Sequence, residues 1–337
     1  MSIAEFREGT ESLSQQPLPK VAQQHWLSPE PVDLRSTLSI LRRGIGDPTI
    51  RLEQSQAWLV FATIDGDATL RIELEADRRS ASFSAWGPGA QWALAQGPAL
   101  LGAEDDWSGF DGTAFAVSLP DVVRRSRSEH PAVRLPRTGR IFDHAAGAIL
   151  EQRVTGIEAN YAWRWLIRHY GRPAPGPAPS GMRLFPLPEA VAGIPRWHWQ
   201  QARVEHSRAA TMIRLAHVAR RLERWAALGL NDSMPGTTGS GTLEAALLSI
   251  SGIGPWTVAE TLQRSHGSPD HISVGDYHLA DFVGQVLVGH RVDDQRMLQL
   301  LEPYTGHRQR VVRLLQLSGQ RKQGFGPRYA PLDHRNR

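Results

Sequence analysis

The chain has 337 residues, 41% hydrophobic and 21% charged, a globular composition long enough for two or three compact modules. It has no cysteine, which excludes disulfides, thiolate catalysis, cysteine zinc sites and iron–sulfur clusters. No run approaches the roughly 20 apolar residues of a membrane span, and MSIAEFREGTESLSQQPLPK does not read as a secretory signal, so a soluble, cytoplasmic protein without a membrane partner is expected.

Residues 1–25 are polar and aperiodic and read as a flexible lead-in. From Leu34 to Trp86 the pattern alternates through AWLVFATI, DATLRIEL and RSASFSAW, with the turn Asp65-Gly66-Asp67 between the first two. This predicts a small antiparallel sheet, followed by a helix over 90–101 and the turn-rich AEDDWSGFDG. The first module, 26–125, is therefore predicted to be α+β. Beyond Pro136, apolar residues at helical spacing (Ile141, Ala145, Ala148, Ile149) are punctuated by Gly and Pro, and 126–320 is predicted to be all-α. GRPAPGPAPSG at 171–181 and NDSMPGTTGSG at 231–241 read as variable surface loops, and Ser207–Leu228 between them as one long amphipathic helix. Residues 305–337 hold seven Arg and one Lys against one Asp, a local +7 within a chain of net +4. That charge suits a polyanion, and a solvated basic tail over 321–337 has the same composition.

The densest signal lies in LEAALLSISGIGPWTVAETLQRS, Leu243 to Ser265. Leu243, Leu247 and Ile250 share one helical face, and Ile253, Trp256, Ala259 and Leu262 continue it through a second helix. Gly252 suits the left-handed residue that closes the first helix, Gly254 leaves room at the next, and Pro255 falls at a first helical position. The backbone amides of such a turn suit a phosphate oxygen, although Gly-x-Gly-Pro also occurs at ordinary helix boundaries. Further on, HISVGDYHLADFVGQ puts Asp276 just before the apolar pattern Leu279, Phe282, Val283, Val286, where an Asp is commonly an N-cap.

SGIGPWTVAE followed by SVGDYHL resembles the helix-hairpin-helix and catalytic Asp of the Endonuclease III superfamily, and within it the AlkA-type 3-methyladenine DNA glycosylase II branch. The resemblance runs from about residue 30 to about residue 320 and is strongest over Leu243–Leu287. It implies an N-terminal antiparallel α+β domain, an all-α glycosylase domain, and a monomer that flips a damaged base from double-stranded DNA and hydrolyses its N-glycosidic bond. Asp276 is then the catalytic carboxylate. Trp256, at the position where strand-cleaving members carry a Lys, becomes a base-pocket wall, so hydrolysis without lyase chemistry is implied. Glu260 stands where AlkA-type chains have an aromatic and makes the pocket more polar, and Tyr277 flanks the Asp.

The resemblance further implies DNA contacts from Gly252, Ile253, Gly254 and Thr257 of the hairpin, and from Gln152 and Arg153, whose loop fills the gap left by the flipped base. A helix-surface Arg is the other reading of Arg153. Arg308 and Arg310 are read as phosphate contacts. No organic cofactor and no side-chain metal set is implied; a structural Na+ or K+ held by the backbone carbonyls of Ile250 and Ile253 is. Deaminated or oxidised bases are the alternative substrates, and a non-catalytic DNA-binding protein with Asp276 as a mere cap is the alternative class.

Overall fold

The computed structural model describes residues 22–227 and 242–320. The predicted loop at 231–241 and the basic tail at 321–337 lie outside these residues. Five strands, β1 (Ala22–Leu27), β2 (Ile50–Leu52), β3 (Gln56–Thr63), β4 (Gly66–Leu74) and β5 (Ser80–Trp86), form one antiparallel sheet in the order β1-β5-β4-β3-β2. The three alternating runs form its centre. The predicted lead-in gives way already at Ala22, because AQQHWL pairs along β5 from Ala22↔Ala85 to Leu27↔Ser80 as an edge strand with an alternately exposed face. Leu34–Leu38, within the region predicted to alternate, is a short helix capped by the Asp33 side chain.

Both faces of the sheet are buried. Leu59, Phe61, Leu70, Ile72 and Phe83 pack beneath the helix Ala90–Leu100. On the other face Trp58 and Trp86 stack with ring centroids 5.5 Å apart and are covered by Met182 and Leu184. The cover corrects the reading of 171–181 as a loop free to vary. The Pro175 carbonyl accepts the Thr69 hydroxyl at 2.7 Å, and Arg172 forms a two-bond pair with Asp67. At Gly176, with φ +73°, a Cβ would lie 2.5 Å from Trp86. The Pro/Gly composition serves a strap pressed onto aromatic rings.

Helices Phe142–Glu151, Gly156–Tyr170, His206–Ala226, Leu243–Leu248 and Pro255–Ser265 surround a second core that includes Phe142, Ile149, Met212, Leu215, Leu247 and Leu262. A third core corrects the predicted boundary near 125. Trp107, Phe110, Leu119 and Val123 pack with Leu279, Val283, Leu301 and Val311, so the chain leaves the sheet module after Leu101 and lends residues 107–126 to the C-terminal helices. Asp105 and Arg310 hold this exchange together. The Asp105 carboxylate accepts from the Trp107 indole, the Leu135 amide and Arg310, and Arg310 also lies over the Trp107 ring at 5.1 Å.

With side-chain exposures of 3% and 5%, either charge left alone would be stranded out of water. Asp105→Asn is expected to lower unfolding free energy by about 3–5 kcal/mol, read as an earlier urea midpoint at an unchanged slope. A loss under about 1 kcal/mol would show the pair to be dispensable.

Candidate functional site

The hairpin joins Leu243–Leu248 to Pro255–Ser265. Thr242 caps the first helix through Ala245 N, and Ile250 and Ile253 bury themselves in the second core. Gly252 takes φ +96°, and a Cβ there would stand 2.1 Å from Thr211 Oγ1 on the long helix His206–Ala226, so the turn sits where only glycine fits. A Cβ on Gly254 would meet nothing within 4 Å, and the helix after it starts at Pro255 with no side-chain cap. Its first amides are therefore left for an external acceptor, and an anion suits the positive end of the helix.

Gln152 is bound into this turn rather than free. Its Nε2 donates to the Gly252 carbonyl at 3.0 Å and to Thr257 Oγ1 at 2.8 Å. Thr257 is 2% exposed and its hydroxyl holds Gln152, so its backbone amide, in the first turn of the helix, is the group it can offer to DNA. Arg153, next along, is exposed at φ +55°, an uncommon conformation for a residue with a Cβ. Its backbone departs from the helix Phe142–Glu151 beside the hairpin, with Ile157 exposed a few residues on.

Asp276 follows Gly275, which takes φ +89°. Its Oδ1 accepts from the amides of His278 (2.8 Å) and Leu279 (2.9 Å) and thereby caps the helix Leu279–Val288. Its Oδ2 lies 3.4 Å from Trp256 Nε1. The carboxylate therefore has one oxygen fixed by backbone and one turned to the indole of the second hairpin helix. It borders an open cleft of about 540 Å³ lined also by Ile40, Glu260, His278, Phe282 and Gln309. Tyr277 is 85% exposed, with its ring edge-on to His278 at 4.8 Å, and is not part of the cleft lining, which corrects its reading as a pocket residue.

Glu260 belongs to that wall. Burial alone would raise its carboxyl, but Arg264 Nη1 at 2.7 Å and the Ser273 hydroxyl at 2.6 Å outweigh burial and hold it below the ordinary carboxylate range. Arg264 also donates from Nε to the Ile40 carbonyl at 3.0 Å, which fastens the hairpin to the N-terminal module across the cleft floor. Gln309 carries no signal in sequence. It is 4% exposed and lines the cleft.

The basic run GHRQRVVRLLQLS is corrected as a DNA-binding arm. Arg308 pairs with Asp270 through two bonds, Arg310 is buried against Asp105, and Arg313 Nη2 donates to the Ser36 carbonyl at 2.7 Å. These guanidiniums join the last helix to other parts of the fold. A further feature is visible only on counting: of 38 basic residues two are lysines, Lys20 and Lys322, and neither is among the described residues.

The fold is shared with solved DNA glycosylases. The 3-methyladenine DNA-glycosylase from Archaeoglobus fulgidus superposes with a TM-score of 0.69 at 14% identity, covering 88% of this chain and 98% of that one. The 8-oxoguanine glycosylase/lyase of Clostridium acetobutylicum, in complex with double-stranded DNA containing cytosine opposite the lesion, gives 0.56 at 10% identity, covering 80% and 96%. No family model matches the chain, and no curated protein matches it in sequence. Among the described residues no helix is long and apolar enough to cross a membrane.

His266, at the C-terminal end of the second hairpin helix, gives this region a pH response. Its Nε2 donates to the Ala226 carbonyl at 3.0 Å and its Nδ1 pairs with Ser265 Oγ at 2.9 Å, and burial pushes it down to about 4. An unfolded chain protonates near 6.5 and the folded one near 4, so the unfolded state binds more protons between those values. Stability is then complete above pH 6.5, falls as pH is lowered toward 4 and levels off below, with a total on the order of 3 kcal/mol. Buried His144 moves in the same direction and adds to it. Urea midpoints measured across this range should drop for the native chain and drop less for His266→Gln; identical profiles would remove His266 from the effect.

Proposed function

We propose that the chain is a monofunctional DNA glycosylase that extrudes a damaged base from duplex DNA and hydrolyses its N-glycosidic bond, with alkylated purines such as 3-methyladenine as substrates. The observation that carries this reading is the Asp276 carboxylate, which borders a cleft large enough for a base and stands beside a hairpin turn with free amides. The duplex backbone binds at the amides around Gly254, Arg153 enters the stack, and the extruded base occupies the cleft between Glu260 and Gln309.

As the base departs, positive charge builds on the deoxyribose. A carboxylate about 4 Å away stabilises it by roughly 4 kcal/mol at an effective dielectric of 20, which is about a thousandfold in rate. This acts on the transition state and not on the neutral sugar of the ground state. The same oxygen orients the attacking water.

Two observations support hydrolysis without strand cleavage. Trp256 occupies the hairpin position where an amine would attack the sugar, and the described fold contains no lysine. The Asp276 carboxylate, which borders the cleft with no cation paired to it among the described residues, favours a cationic, electron-poor base. The name of the Archaeoglobus neighbour agrees with that substrate class. Oxidised purines are a second reading, favoured by the Gln309 amide and the ionised Glu260, which suit a base recognised through its hydrogen-bonding edge.

The test is Asp276→Asn. Asparagine caps a helix about as well as aspartate, so the variant removes charge and keeps the two amide bonds. Single-turnover base release is expected to fall about a thousandfold while the unfolding midpoint and duplex affinity stay near native. Release at the native rate would sink the catalytic role, and no release from native or variant on alkylated, oxidised or deaminated duplexes would leave a binding protein. Borohydride added during turnover should trap no covalent protein–DNA adduct; a trapped native adduct would contradict the hydrolytic route.

A further inference from the structure

The resemblance implies a monovalent cation on the carbonyls of Ile250 and Ile253, and the turn already holds a guanidinium. The carbonyl of Ile250 accepts the Ile253 amide at 2.9 Å, that of Ser251 accepts Arg214 Nε at 2.8 Å, and that of Gly252 accepts Gln152 Nε2 at 3.0 Å. Three successive carbonyls thus already face donors, and one of those donors is itself a cation. A metal ion on the Ile250 and Ile253 carbonyls would stand beside this like charge.

We propose that Arg214 supplies the positive charge of the hairpin turn in place of a metal ion and binds a DNA phosphate there. The proposal rests on the reading that the chain binds duplex DNA through the hairpin. Arg214 is held before any DNA arrives: Nε is bonded to Ser251, and Nη2 donates to Thr211 Oγ1 at 3.0 Å. Thr211 is buried and anchored in turn by its own bond to the Ser207 carbonyl. Two of the five guanidinium N–H groups are used in this way, which leaves three for a phosphate oxygen.

Arg214 is exposed, and among the described residues it has no carboxylate partner, unlike Arg308 with Asp270, Arg310 with Asp105 and Arg220 with Glu189. It also stands beside the glycine that must lie against Thr211, so its position relative to the free amides of the turn is set by the same contact that seats the hairpin.

The experiment measures duplex affinity against salt concentration for the native chain, Arg214→Gln, Arg214→Lys and Arg224→Gln. Arg224 is exposed on the same helix, about 15 Å farther along its axis. Arg214→Gln is expected to shorten the logarithmic salt slope by about 0.9, the value of one phosphate contact. Arg214→Lys and Arg224→Gln should keep the native slope. A purely structural loss at Arg214 would lower affinity without changing the slope, and that result overturns the proposal.

A second arm replaces potassium chloride by tetramethylammonium chloride at equal ionic strength. Native affinity should hold within about twofold, and a drop of about tenfold would mean that a metal ion, not Arg214, charges the turn. If the native chain has no duplex affinity in either salt, the DNA-binding reading fails first and the proposal falls with it.

Discussion

The cleft is framed by a largely buried arginine that is met from two directions. Arg264 projects from the second hairpin helix, and its guanidinium is satisfied by the Glu260 carboxylate on the same helix and by the Ile40 carbonyl of the N-terminal module. Glu260 is held in turn by Ser273, three residues before Asp276. One charge pair therefore fixes the hairpin, the N-terminal module and the segment leading to the candidate catalytic carboxylate around a common space. Such a pair is weak evidence for stability, since its desolvation offsets its attraction, but losing one partner strands the other at about 3–5 kcal/mol. Its value lies in the geometry that it enforces.

In the proposed function a helix cap and a reaction centre coincide at Asp276. The cap uses one oxygen and fixes the carboxylate plane; the other oxygen is turned toward Trp256. Capping and catalysis are often weighed as alternatives for such an Asp. Here the first is a means to the second, because a carboxylate held by two amides loses little freedom when charge develops near it. In the same proposal Trp256 contributes its indole where an amine would change the chemistry to strand cleavage. The glycine turn beside it keeps its amides open to a phosphate.

What was readable in sequence was local. Gly252 and Pro255 each answer a backbone requirement within one turn of chain, and the runs of β3, β4 and β5 alternate over their own length. What was not readable depends on partners far along the chain. Arg310 is part of a basic run until Asp105, 205 residues earlier, is brought against it, and Arg313 reaches Ser36 across 277 residues. The Pro/Gly segment at 171–181 has loop composition, and only the Trp58–Trp86 face shows that it is a cover. Residues 107–126 follow the sheet in sequence but pack with the C-terminal helices. Arg214 is one arginine among many on a long helix until Ser251, 37 residues later, turns toward it.

Hydrolysis of N-glycosidic bonds is the proposed chemistry on which the reading of Asp276 depends. It is tested most directly by incubating the native chain with methylated duplex DNA and identifying the released species by chromatography, with abasic sites and strand breaks counted in the same reaction. The account expects free 3-methyladenine in equal number to abasic sites, on strands that stay intact until heated in alkali. Strand breaks that keep pace with base release at neutral pH, or methylated DNA left whole, would contradict it.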